Sequence, residues 1–277
     1  MRILVTGSAG FIGSAVCEAL RSRGMTPVSF DGASDVRDRA AVQRAMVDAD
    51  GVINLAGILG TSEMFGAEYE AAGVNILGAL NVMDAAWEVD VPMVQIATGH
   101  EGQPNPYAIT KKCTTDLCLA RAQWKGQRIN VVRAFHAYGP GQKMCAPHGK
   151  SKVRKIIPSF VARALTGMPL EINGSGNQKV DLVCVDDVAR VLVDGLLCGK
   201  FGQILDAGTG KASRVIDIAH DVIRACESKS GVMHVPMRHG EPEESCVVAL
   251  EPQCRNPFPY KLQDTVAWYA QALKVWA

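Results

Sequence analysis

Apolar positions change their period along this chain, and each change marks an element. Ile3, Leu4 and Val5 form a short unbroken apolar run, the pattern of a strand buried on both faces. Beyond them Ile12, Val16 and Leu20 recur at helical spacing and share one face of an amphipathic helix. Arg23 and Gly24 give that helix a cationic last turn and a glycine stop. Residues 27–30 then read as a second strand, 40–47 as a second helix and 51–57 as a third strand. A long helix is predicted over 74–87, with Ile76, Leu77, Leu80, Val82 and Met83 as its apolar positions. Pro92 opens a fourth strand over 93–97, which ends at Thr98. Strands alternating with helices predict an α/β fold with a parallel sheet covered on both faces. Residues 213–226 and 261–273 read as two further amphipathic helices, the first of them capped.

The turn between the first strand and helix carries three glycines, Gly7, Gly10 and Gly13. Glycine suits a backbone that must bend sharply and lie close to a ligand, where a Cβ would obstruct. The free N–H groups and positive dipole end of the following helix would face that ligand, and a pyrophosphate is the natural guest. Asp31 stands at the end of the second strand. An acid about 20 residues beyond such a loop reads the adenine ribose hydroxyls of NAD, whereas an NADP site offers arginine. NAD is therefore the expected cofactor.

The chain has 277 residues, 48% of them hydrophobic, enough for a large α/β unit with a second lobe. A net charge of +1 gives no global field for nucleic acid or an anionic membrane. Nine cysteines are scattered without a Cys-x-x-Cys pair, so free thiols in a reducing cytoplasm are expected, with neither disulfides nor a metal site. With the first strand starting at residue 2 no signal peptide is expected, and no apolar run reaches the length of a membrane span.

A second cluster follows the fourth strand: Thr98, then eight residues, then Tyr107 and Lys111. Tyr107 and Lys111 are four apart, so on the first turns of a helix they project from one face toward a common ligand. Asn105 and Pro106 favour a turn before that helix. Tyr-x-x-x-Lys alone is most often a surface pair, and its place beside a strand-end hydroxyl is what marks it here.

Together these segments resemble the NAD-dependent epimerase/dehydratase family, the extended short-chain dehydrogenase/reductases, and in particular its nucleotide-sugar 4-epimerases. The matches are the glycine loop at 6–13, Asp31, Asp35 with Val36, the strand end Asn54-Leu55-Ala56-Gly57, Asn75 and the 78–86 stretch, 106–111 and 133–142. Later ones are Ile157-Pro158, 174–178, 185–189, 207–210 and 238–241. The resemblance implies a doubly wound Rossmann domain over 1–140, rejoined by 181–210. A smaller α/β substrate lobe would come from 141–180 and 211–277. It implies that Gly7, Gly10, Phe11, Ile12, Gly13, Asp31, Asp35, Val36, Leu55, Ala56, Gly57, Asn75, Tyr107 and Lys111 hold NAD. Tyr107 would be the base, Thr98 would bind the same sugar oxygen, and Lys111 would also hold the nicotinamide ribose. The implied partner is a nucleotide-diphosphate sugar, and the implied assembly is a homodimer through the helices over 74–87 and 107–124.

Several departures from that family are visible. The short stretch between Thr98 and Tyr107 reduces the lid over the sugar. His136 stands where asparagine is usual, and Val180 where a phosphate-binding arginine is usual. Dehydratases carry Asp-Glu directly after the threonine, where this chain has Gly99-His100, with Glu101 one place late. Between Gln142 and Ile156 lie Lys143, His148, Lys150, Lys152, Arg154 and Lys155 with no acid among them. Such a run is often just a solvated loop. The alternative is that Arg238, assisted by Lys179 or by Lys150, Lys152 and Arg154, takes over the diphosphate, with His136 also at the substrate. A 4-epimerase is the expected activity. A keto-sugar reductase, a dehydrogenase or a dehydratase is the alternative within the family, and a non-catalytic NAD-binding regulator lies outside it.

Overall fold

The computed structural model describes residues 1–32 and 34–274. In chain order its first half contains β1 (Arg2–Thr6), α1 (Phe11–Ser22), β2 (Thr26–Phe30), α2 (Arg39–Met46), β3 (Gly51–Asn54), α3 (Glu68–Ala72), α4 (Ala79–Glu88), β4 (Met93–Thr98), α5 (Pro106–Lys125), β5 (Ile129–Ala134) and β6 (His136–Tyr138). The second half adds α6 (Ile156–Leu165), β7 (Leu170–Asn173), β8 (Lys179–Val180), β9 (Leu182–Cys184), α7 (Val185–Leu197), β10 (Ile204–Ala207), β11 (Ser213–Arg214), α8 (Val215–Ala225), β12 (Val232–Val235), β13 (Cys246–Val247) and α9 (Leu262–Lys274).

Six of the strands form one parallel sheet in the order β2-β1-β3-β4-β5-β10. Alternation along these strands sorts their side chains into two cores. Ile3, Val5, Ile53, Val94, Ile96 and Val132 face α1 and α7. Leu4, Val52, Met93 and Val131 face the layer of α2 and α4. This is the Rossmann arrangement expected from the sequence. The chain leaves β1 toward β2 on one side and returns to β3 on the other, so a crevice opens between the carboxyl ends of β1 and β3, where open α/β sheets bind ligands.

A third core gathers Tyr138, Ile157, Phe160, Ile172, Ile218, Leu262 and Tyr269 from β6, α6, β7, α8 and α9. Buried Asp181 ties this part to the main sheet, accepting hydrogen bonds from Thr209, Gly210 and Ala249 backbone N–H groups at 2.8 to 3.2 Å. Among the described residues no helix is long and apolar enough to cross a membrane.

Two elements differ from the sequence expectation. The third strand stops at Asn54 rather than at 57, because the Leu55 and Ala56 N–H groups turn to donate to Thr6 Oγ1, both at 3.0 Å. Three polar side chains, Thr6, Asn54 and Gln95, cross the strand ends there in one hydrogen-bonded chain, so burying them leaves no group orphaned. The helix over 74–87 begins instead as a π-helical turn, Gly73–Gly78, before α4. Thr114 of α5 donates to the Asn75 carbonyl at 2.8 Å inside that turn, an insertion of the kind that widens a helix locally.

Candidate functional site

A cleft of about 1340 Å³ runs along the carboxyl ends of the sheet. At one end lies the glycine turn. Gly7 has φ +67°, and its N–H donates to the Phe30 carbonyl of β2 at 3.1 Å. At Gly13 a Cβ would sit 2.1 Å from the Gly7 carbonyl oxygen, so only glycine lets α1 come this close to the strand. Gly10 caps α1 with no side-chain bond, which leaves the first N–H groups of the helix turned into the cleft beside Phe11 and Ile12. Asp31 receives the Ala9 N–H at 2.6 Å and the Gly32 N–H at 2.7 Å. Asp35 and Val36 also line this end, with Asp35 clamped by Arg37 at 2.6 Å. A helix start without a side-chain cap, a glycine cradle and an acid at the end of β2 make a donor set that fits a dinucleotide.

The middle of the cleft is built from β3, β4 and α5. Leu55, Ala56 and Gly57 line it where the chain leaves β3. Asn75 does not line it. It stands behind, buried, with Oδ1 accepting the Ile58 N–H at 2.8 Å and Nδ2 donating to Thr110 at 3.0 Å, and so holds the 55–58 turn in place. Asn105 caps α5 by accepting the Ala108 N–H at 3.0 Å, and Pro106 opens the first turn. Tyr107 and Lys111 follow on one face and both line the cleft with Thr98. Burial pushes the Tyr107 phenol up to about 12, against the opposing pull of a hydrogen bond from Thr98. Burial likewise draws the Lys111 ammonium down to about 8. A Cβ at Gly57 would lie 3.0 Å from Lys111 Nζ, so the glycine makes room for the lysine. Burial favours the neutral form of both groups, yet at about 8 Lys111 keeps its charge at neutral pH while Tyr107 stays a phenol, and positive charge beside Tyr107 favours the phenolate.

Two histidines complete the middle. His100 Nδ1 is 3.0 Å from Thr98 Oγ1, and His100 Nε2 is 3.2 Å from His136 Nε2. Sequence reasoning had singled out His136 but not His100. The available signal was its place two residues after Thr98, and the contact between the two rings joins segments 36 positions apart.

At the far end, the basic segment contributes Lys143, Ser151, Val153 and Lys155 to the cleft wall. Lys155 stands at the N-cap position of α6 without a side-chain capping bond, and burial draws its ammonium down against the opposing field of Glu63. It was visible only as the last member of a cationic run. The other predicted cations lie elsewhere. Arg154 is paired with Glu171 at 2.7 Å. Arg238 is held by Glu63 at 2.6 Å and Glu241 at 3.3 Å. Lys179 is exposed on β8, and Lys150, Lys152, Arg154, Lys179 and Arg238 are all outside the cleft lining. Glu101 is turned away as well, accepting from Thr115 at 2.5 Å and lying 3.9 Å from Arg133.

Comparison with known proteins gives this geometry a family. A family model described as the NAD dependent epimerase/dehydratase family matches residues 3–197. A UDP-N-acetyl-alpha-D-glucosaminuronate decarboxylase of Bacillus cytotoxicus is 26% identical, over 98% of this chain and 98% of its own. A dTDP-glucose 4,6-dehydratase of an Actinoplanes species is 26% identical over the whole of both chains. Among solved structures, the UDP-glucose 4-epimerase of Thermotoga maritima, determined with UDP-glucose, superposes with a TM-score of 0.87 at 24% identity, covering 99% of this chain and all of its own. The UDP-glucose 4-epimerase of Thermus thermophilus, in complex with NAD, gives a TM-score of 0.80 at 24% identity over 99% of each chain.

Proposed function

Because the chain belongs to the NAD-dependent epimerase/dehydratase family, we propose that it is a nucleotide-sugar 4-epimerase. One observation carries this reading over dehydration: the ground directly after Thr98 holds no acid pair. A Cβ at Gly99 would lie 2.5 Å from the Phe135 ring, His100 is bonded to Thr98 and His136, and Glu101 is spent on Thr115 and Arg133. With no carboxyl to protonate a leaving hydroxyl, water elimination lacks its general acid.

NAD, the cofactor of the family, supplies the acceptor for a hydride from sugar C4 and the donor that returns it to the opposite face. Tyr107 takes the proton of the C4 hydroxyl, with Thr98 holding the same oxygen. Lys111 stands one helical turn below Tyr107, where its charge lowers the cost of the phenolate. Lys155 and Lys143 line the end of the cleft where a substrate diphosphate would lie, and they are better placed for it than Arg238, whose guanidinium already serves two carboxylates. The nine free cysteines suit a reducing cytoplasm.

Incubation with a panel of UDP-, GDP- and dTDP-sugars, with products resolved by NMR, tests the reading. Inverted C4 configuration without net NADH change supports it. A 4-keto-6-deoxy product, loss of a carboxyl as CO2, or stoichiometric NADH consumption would replace it with dehydration, decarboxylation or reduction.

A further inference from the structure

The cleft holds a row of side chains that hydride transfer leaves unused. Thr98 lines the cleft together with Tyr107, where its hydroxyl acts on the Tyr107 phenol, and its Oγ1 lies 3.0 Å from His100 Nδ1. His100 Nε2 meets His136 Nε2 at 3.2 Å, with the two rings edge to face and their centroids 4.5 Å apart. The row stops at His136 Nδ1, a buried nitrogen with no hydrogen-bond partner among the described residues, on a residue that lines the cleft.

Each link dictates the next. A threonine hydroxyl has one proton and two lone pairs, and one lone pair here takes the His100 backbone N–H at 3.3 Å. When Tyr107 is a phenol, it donates to Thr98, Thr98 donates to His100 Nδ1, His100 Nε2–H donates to His136 Nε2, and His136 carries its proton on Nδ1. When Tyr107 is a phenolate, every donor reverses: Thr98 donates to Tyr107, His100 Nδ1–H to Thr98 and His136 Nε2–H to His100, leaving His136 Nδ1 as a bare lone pair. All the links stay made in both states, and both imidazoles stay neutral.

We propose that Tyr107, Thr98, His100 and His136 form a proton wire that exchanges the phenolic proton of the buried base with the cleft at His136 Nδ1. It rests on the reading of Tyr107 as the base. In the outward direction the Tyr107 O–H bond breaks as a new Thr98 O–H forms, and the old Thr98 O–H breaks as His100 Nδ1–H forms. His100 Nε2–H then breaks as His136 Nε2–H forms, and His136 Nδ1–H breaks as the proton passes to an oxygen in the cleft, of water or of a substrate phosphate. One proton leaves, the phenolate remains, and no heavy atom moves. The route runs through neutral rings, in keeping with the dry surroundings and the nearby Lys155 charge that hold both histidines far below their ordinary protonation range. A sugar covering Tyr107 would close off direct exchange with water, and the wire leaves a way out through the protein.

Histidine-labelled, NAD-loaded protein tests this by nitrogen NMR. As pH is raised through the Tyr107 ionisation, followed by phenolate absorbance, the His100 and His136 ring nitrogens should exchange their protonated and bare signals together. In Tyr107→Phe both should stay locked, His100 protonated at Nε2 and His136 at Nδ1. A ring that keeps its tautomer while Tyr107 ionises, or that becomes imidazolium, overturns the wire. His100→Phe, which keeps the ring and breaks the relay, should lower kcat by about tenfold or more with KM little changed, and an unchanged kcat in the folded variant also overturns it. The two proposals fail separately: rings that swap in a protein with no epimerase activity sink the function and keep the wire, and fixed rings in an active epimerase do the reverse.

Discussion

At the scale of single residues, the site works by keeping ionisable groups dry. Tyr107→Phe removes one oxygen, so folding and NAD binding should persist while kcat falls at least about a hundredfold, the usual scale of a general base. Retention of most turnover on an identified sugar would assign the base elsewhere. Asp31 already collects two backbone N–H groups and sits where a 2′-phosphate would meet a carboxylate, so calorimetry should show NAD bound more tightly than NADP. Asp31→Ser should narrow that gap. The histidine pair also makes a pH prediction. Burial holds His100 at about 4, below its ordinary 6.5, and pushes His136 down too. Between those values the unfolded chain binds more protons than the folded one, so this stability is present above pH 6.5 and is lost as pH falls toward 4. Thermal melts should show a steeper acid loss for the parent than for His100→Phe, and parallel losses would count against the pair.

At the scale of elements, the β1-turn-α1 unit was legible because its requirements are local: glycine spacing, an apolar strand and an amphipathic helix all lie within 20 residues. Asn105 shows the same economy, being a cap that reads directly from sequence and also donating to the Gly240 carbonyl at 3.3 Å. Its replacement by alanine should destabilise the fold by about 1 kcal/mol. Because Tyr107 lies in the first turn it governs, kcat/KM should fall by more than stability alone explains, a comparison that denaturant titration beside kinetics can make. The π-helical turn at Gly73–Gly78 was not legible, since its cause is a hydroxyl on another helix, Thr114 of α5. The ion pairs of Arg238, a diphosphate candidate in the sequence, were not legible for a similar reason. Its partner Glu63 lies 175 positions away, and charge runs along a sequence do not show which acids the fold will bring to them.

For the whole molecule, the doubly wound sheet sets the cofactor crevice where β1 and β3 diverge, and the part of the chain built around α6, α8 and α9 closes its far side through Lys155 and the 143–155 segment. One surface of this assembly lies outside that logic. Tyr69 of α3 is 95% exposed, Leu77 and Ile109 each 60%, and Trp124 at the end of α5 79%. These side chains sit on α3, the π-helical turn and α5, which pack side by side, and so much exposed apolar surface on adjacent helices is costly in water unless something covers it. A second copy of the same chain is the simplest cover, because a twofold interface uses one self-complementary face on both subunits. The homodimer expected from the family resemblance would place its helices here, against the outer side of α5 and away from the mouth of the cleft. Sedimentation of the parent at micromolar concentration should therefore give a dimer. The double variant Leu77→Asp with Ile109→Asp should give a folded monomer, since it would bring two like charges from each subunit into an apolar contact. Because Tyr107 and Lys111 lie on that same α5, the monomer should also bind NAD with reduced affinity, through loss of the support that the second subunit gives the helix. A monomeric parent, or a variant that stays dimeric, would move the interface to another face.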